Sequence, residues 1–73
     1  MKIYLLKRKP LKNEDEWDVY IGFVISANNI KQARQIASKE SDEKLWNSNN
    51  RISCECIGES KVEEGIILYN YRD

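Results

Sequence analysis

Residues 17–27 read Trp17-Asp18-Val19-Tyr20-Ile21-Gly22-Phe23-Val24-Ile25-Ser26-Ala27. The odd positions, Trp17, Val19, Ile21, Phe23, Ile25 and Ala27, are all apolar, and the even positions are mixed. Alternation with period two predicts a strand with one face in a core and the other toward water or a partner. Gly22 in its middle predicts a bulge, a bend or a close backbone approach.

A helix is expected next, over residues 28–41. Asn29 is a good N-cap, and Gln32 three residues on completes a pair resembling a capping box. Ile30, Ala33, Ile36 and Ala37 form one apolar stripe, while Lys31, Arg34, Gln35 and Ser38 cover the rest. Val19, Ile21, Phe23 and Ile25 are therefore expected to face Ala33, Ile36 and Ala37. Leu45 and Trp46 are a candidate plug for one end of the core, and residues 47–50 read as a loop.

Working outward, residues 2–9 form a first strand, ended by Pro10, which has no N–H to donate. Which face of that strand is buried stays open. Residues 10–16 are a polar connection. Residues 51–60 form a third strand, with Ile52, Cys54 and Cys56 on one face and Ser53, Glu55 and Ile57 on the other. Residues 61–65 turn, and residues 66–71 form the last strand. The order is β-β-α-β-β. One-sided strands and one apolar helix stripe predict a two-layer α+β fold, a single helix packed on a four-stranded antiparallel sheet.

The chain has 73 residues, which is one small domain, 1–73. Such a domain buries only ~60% of the surface its unfolded chain exposes. Twelve basic and twelve acidic residues give a formal net charge of zero, against a global electrostatic hold on DNA or a membrane. The absence of histidine excludes His-based triads, ligands and proton shuttles. No apolar run approaches the ~18–20 residues of a membrane span. No signal peptide is read at the N-terminus, so a cytoplasmic protein is expected.

Few motifs carry chemistry. Cys54 and Cys56 share a strand face, but i and i+2 neighbours lie roughly 6.5 Å apart, too far for an unstrained disulfide. With no histidine and no second cysteine pair, no metal and no cofactor is expected, and both thiols read as small buried hydrophobes. The acidic run Glu14-Asp15-Glu16, with Asp18, reads as a solvated connection. The basic cluster Lys7, Arg8, Lys9 and Lys12 reads as the solvated end of a strand, with phosphate contact as the rival. No nucleophile elbow, S-x-x-K motif or phosphate cradle is present, so an enzyme is the weakest class.

What remains is surface. The sheet face away from the helix is expected to carry Tyr20, Val24 and Ile57, with one or more of Tyr4, Leu6, Tyr69 and Tyr71. Lys7, Arg8 and Lys9 would rim it. Such an aromatic face suits an interface.

The stretch Ile25-Ser-Ala-Asn-Asn-Ile-Lys-Gln-Ala-Arg-Gln-Ile-Ala-Ser-Lys-Glu40 resembles a strand–cap–helix segment of small phage-encoded anti-CRISPR proteins. In particular it resembles an inhibitor of the type I-F surveillance complex that curls an antiparallel sheet around one helix. The resemblance covers about a fifth of the chain and carries over no functional residue. It implies a phage or mobile-element protein that binds a host protein complex, a CRISPR effector, and inhibits it sterically. The alternatives are a nucleic-acid-binding module and a structural or antitoxin-like homo-oligomer such as a homodimer.

Overall fold

The computed structural model describes residues 1–9 and 19–72. Pro10, Lys12, the acidic run 14–18 and Trp17 lie outside the described residues. Four strands are described: β1 (Lys2–Arg8), β2 (Val19–Ala27), β3 (Ile52–Glu59) and β4 (Gly65–Arg72). Helix α1 (Ile30–Ser41) lies between β2 and β3, followed by a short 3-10 turn, Lys44–Asn47. The sheet order is β3-β1-β2-β4 with every pair antiparallel, so the two-layer α+β reading holds.

The helix begins where its cap allows. Asn29 is extended, and its side chain accepts from the Gln32 N–H at 2.8 Å. Gln32 Oε1 accepts in return from the Asn28 N–H at 2.6 Å. Two amide donors at the helix start are thereby satisfied. Ala33 and Ala37 are fully buried, and their small side chains let the helix lie close on the sheet. Ile36 is half-buried against the core. Ile30, expected in the same stripe, is exposed at the first turn.

The core under the helix is Tyr4, Leu6, Phe23, Ile25, Ala27, Ala33, Ala37, Trp46 and Ile52. Phe23 packs edge-on to Trp46 with centroids 4.8 Å apart. Trp46 is wholly buried, so the expected plug is in place. Burying a side chain of this kind is worth ~1.5–3 kcal/mol, so these few residues hold most of the fold.

Period two fails at one end of β2. Tyr20 pairs with Tyr71 and Gly22 with Asn70, leaving Ile21 as an extra residue. Tyr71 and Tyr69 share a face of β4, and Tyr69 pairs with Phe23, so Tyr20 lands on the core side with Phe23. Of the alternatives expected at Gly22, a bulge is present, at the neighbouring Ile21, and it overturns two expectations. Tyr20 packs against the core cluster, and Ile21 stays outside it.

β3 and β4 are opposite edges of the sheet. The connection between them crosses the sheet end. The Ser60 N–H donates to the Met1 carbonyl at 2.7 Å, and the Ser26 hydroxyl donates to the Val62 carbonyl at 3.2 Å. Gly65 then enters β4 with φ at +145°, a conformation side chains rarely adopt.

Candidate functional site

The uncovered sheet face is built in rows set by the strand register. Glu55, Leu5, Val24 and Leu68 lie side by side across β3, β1, β2 and β4. The next row is Ser53, Lys7, Gly22 and Asn70. The third row, Gly58 and Ile3 with Ser26 and Gly65, lies at the end that the 60–64 connection crosses. The middle row is thus apolar over three strands, with a carboxylate at one end. Gly22 has no side chain, which leaves a shallow depression between Leu5, Val24, Leu68 and Asn70. Leu5 and Val24 are half-buried and Leu68 is 64% exposed.

The expected site residues fall in different places. Val24 and Lys7 are on this face, and Ile57 is close to it as the extra residue of a bulge in β3. Tyr4 is only 3% exposed and sits in the core beside Leu6, because β1 turns its even positions to the helix. Tyr20 and Tyr69 are also on the helix side. The aromatic face expected opposite the helix is therefore an aliphatic one. Ile3, Leu5 and Leu68 were not among the expected residues. Pairing Leu5 with Val24 across β1 and β2 is the signal that finds them.

The basic rim also divides. The Arg8 side chain is 4% exposed, not a free rim charge. Its Nη2 donates to Glu43 Oε1 at 2.5 Å, its Nε donates to the Tyr20 carbonyl at 2.9 Å, and its guanidinium lies over Trp46. Lys9 is exposed and donates from Nζ to the Asn49 carbonyl at 3.2 Å. Lys7 alone of the three stands on the uncovered face.

The tyrosines form a shelf beside the helix. Tyr20 stacks on Phe23 at 4.9 Å and meets Tyr69 and Tyr71 edge-on. Its hydroxyl donates to Glu40 Oε2 at 3.1 Å. Burial, then the Glu40 carboxylate, push the Tyr20 phenol above its ordinary value. Burial likewise raises the Cys54 thiol, against the pull of Arg34. Both Cys54 and Cys56 are free thiols; Cys54 is half-buried, and its raised thiol is a weak nucleophile, whereas Cys56 is exposed and not the buried hydrophobe expected, because it lies at the edge of the sheet beside the Ile57 bulge. Among the described residues no cluster of three or more Cys, Asp or Glu side chains suits a metal ion.

Arg34, expected on the polar side of the helix, is buried. Its guanidinium donates to the carbonyls of Trp46, Ser48 and Ile52 at 3.1–3.2 Å. It ties the helix to the segment carrying the plug.

No described helix is long and apolar enough to cross a membrane. No protein-family model, curated protein or solved structure matches the chain.

Proposed function

We propose that this chain is a non-catalytic binding protein that covers a surface of a host protein complex and blocks it sterically. The observation that carries this reading is the uncovered row Leu5–Val24–Leu68, flanked by Lys7 and Glu55. An apolar centre with charged neighbours is the usual anatomy of a protein interface. The partner class comes from the resemblance of residues 25–40 to anti-CRISPR proteins, which makes a CRISPR effector complex the first partner to test. Asn29, Ala33 and Ala37 in that stretch cap and pack the helix, so the contact is assigned to the sheet face instead.

Nucleic-acid binding has less support, because Arg8 is committed to Glu43 and the whole chain has a formal net charge of zero, so Lys7 and Lys9 are left without a concentrated basic field.

The test is titration of a purified CRISPR effector complex with wild type and Leu5→Glu. Leu5 lies outside the core, so the variant should keep its fold. Its affinity should fall more than about tenfold. Equal affinity would remove this face from the interface. Absence of binding by wild type, with tight salt-sensitive binding to single-stranded nucleic acid, would replace the reading.

A further inference from the structure

Along β4 the helix leaves the covered side of the sheet partly open. Ile36, Lys39 and Glu40 of α1 and Ile66 of β4 line a groove of about 330 Å³. Glu40 joins this groove to the tyrosine shelf, because its Oε2 accepts from the Tyr20 hydroxyl at 3.1 Å. Tyr20 is backed by Phe23, with the two rings 22° from parallel. Tyr69 and Tyr71 stand across Tyr20 at 67° and 76°, with centroids 5.3 and 4.9 Å from its own. These two outer rings are 57% and 42% exposed, and Glu40 is exposed beside them. The register explains the grouping, since Tyr71 pairs with Tyr20 and Tyr69 with Phe23.

The chemistry of this corner has one sign. Aromatic faces are the negative part of the ring quadrupole, and they attract a cation lying within about 6 Å of the centroid. The Glu40 carboxylate adds a full negative charge at the same place, and one bond from Tyr20 leaves it capacity to accept more. A planar guanidinium meets both features at once: it stacks on ring faces and forks onto a carboxylate. An ammonium is a compact, strongly hydrated point charge and gains less from an open shelf. We propose that the corner between α1 and β4 binds the guanidinium of an arginine side chain presented by a partner polypeptide, stacked on the exposed Tyr69 and Tyr71 rings and paired with Glu40. The aliphatic stem of that side chain would run toward Ile36 and Ile66. The site does not depend on the Leu5–Val24–Leu68 row, which lies on the opposite face of the sheet.

The experiment is a nuclear magnetic resonance titration of the full chain with Nα-acetyl-arginine methylamide, and with the citrulline counterpart, which has the same shape without the charge. The arginine probe should shift the ring signals of Tyr20, Tyr69 and Tyr71 saturably and bind at least about fivefold tighter than the citrulline one. Free arginine, which carries backbone charges that a polypeptide lacks, should bind no tighter than the blocked probe. Tyr69→Ala and Glu40→Gln should each weaken binding about threefold or more. Both residues are exposed, Gln keeps an acceptor for Tyr20, and the amide spectrum of each variant reports its fold. Lys39 lines the same groove and opposes a cation, so Lys39→Gln should bind at least as tightly as wild type. Leu5→Glu, on the other face, should bind the probe as wild type does, whatever its effect on a host complex. Equal affinity for the arginine and citrulline probes would overturn the proposal. So would shifts that bypass the three tyrosines, binding that folded Tyr69→Ala and Glu40→Gln leave unchanged, or free arginine binding tighter than the blocked probe.

Discussion

Leu5 and Leu6 are the same residue on neighbouring positions of one strand, and they lead different lives. Leu6 is fully buried under the helix, whereas Leu5 is half-buried on the uncovered face. The same split runs through the whole sheet. The covered side holds every aromatic residue of the core, and polar groups lock it: Arg8 to Glu43, Arg34 to three carbonyls, Tyr20 to Glu40. The uncovered side holds an aliphatic row, Leu5, Val24 and Leu68, with Glu55 at its end. Stability is thus concentrated on one face of the sheet, and the other face contributes little buried surface to the fold.

The most severe way to test this division is Phe23→Ala. Phe23 is 1% exposed and touches Trp46 and Tyr20. Emptying that site should cost ~3–5 kcal/mol, close to the whole stability of so small a domain. Leu5→Ala, on the same sheet, should cost under about half as much, because solvent already reaches the site. Denaturant unfolding of both variants measures the ratio. Equal losses would mean that the two faces carry the fold together.

Arg34→Met sharpens the comparison one step down. The substitution keeps an unbranched stem and removes the guanidinium. The carbonyls of Trp46, Ser48 and Ile52 would lose a shared charged donor. Hydrogen bonds to charged groups are worth about 1.5–3 kcal/mol, and unsatisfied buried acceptors add to the loss. Removal of a buried charge offsets part of it, so a net loss of about 2 kcal/mol is expected in the same unfolding measurement. A variant as stable as wild type would show that the segment 44–52 is held by its apolar residues, Trp46 and Ile52, and not by the guanidinium.

These residues also mark what was legible in the sequence. Period-two spacing placed Phe23, Ile25 and Ala27 in the core, and the Asn29–Gln32 pair located the helix start, because both depend on neighbours in the chain. Tyr20 was misplaced because one extra residue in β2 reverses the face of what lies beyond it. Local spacing can suggest a bulge at Gly22 but not the side on which Tyr20 emerges. Tyr4 could not be assigned from an unpaired strand and became readable only through Ile25 and Cys56 on either side of it. Arg8 and Arg34 looked like solvent-facing charges. Their partners lie 12 to 35 residues away, and no short-range pattern reports such contacts. For the candidate site, Val24 and Lys7 were legible. The row joining Leu5 to Leu68 needed the strand order, which places β4 beside β2 and not beside β3.

The smallest effect concerns the hydroxyl that ties the two layers at the tyrosine shelf. Tyr20 donates to Glu40, and burial with that neighbouring carboxylate raises its phenol above the ordinary value of about 10. Below about pH 10 the phenol keeps its proton in both folded and unfolded chains, so its contribution to stability is complete. As pH rises further, the unfolded chain ionises first while the fold still holds the proton. The unfolded state then binds fewer protons, and stability falls with pH through the raised folded value. Tyr20→Phe keeps the ring that stacks on Phe23 and deletes the proton and the hydrogen bond. The difference in melting temperature between wild type and Tyr20→Phe should be small and constant near neutral pH, then shrink or reverse above about pH 10. The other tyrosines and the lysines titrate in both proteins and largely cancel in the difference. A difference that stays flat through the alkaline range would mean that the Tyr20 hydroxyl faces water in both states, and that Glu40 holds nothing on the covered face.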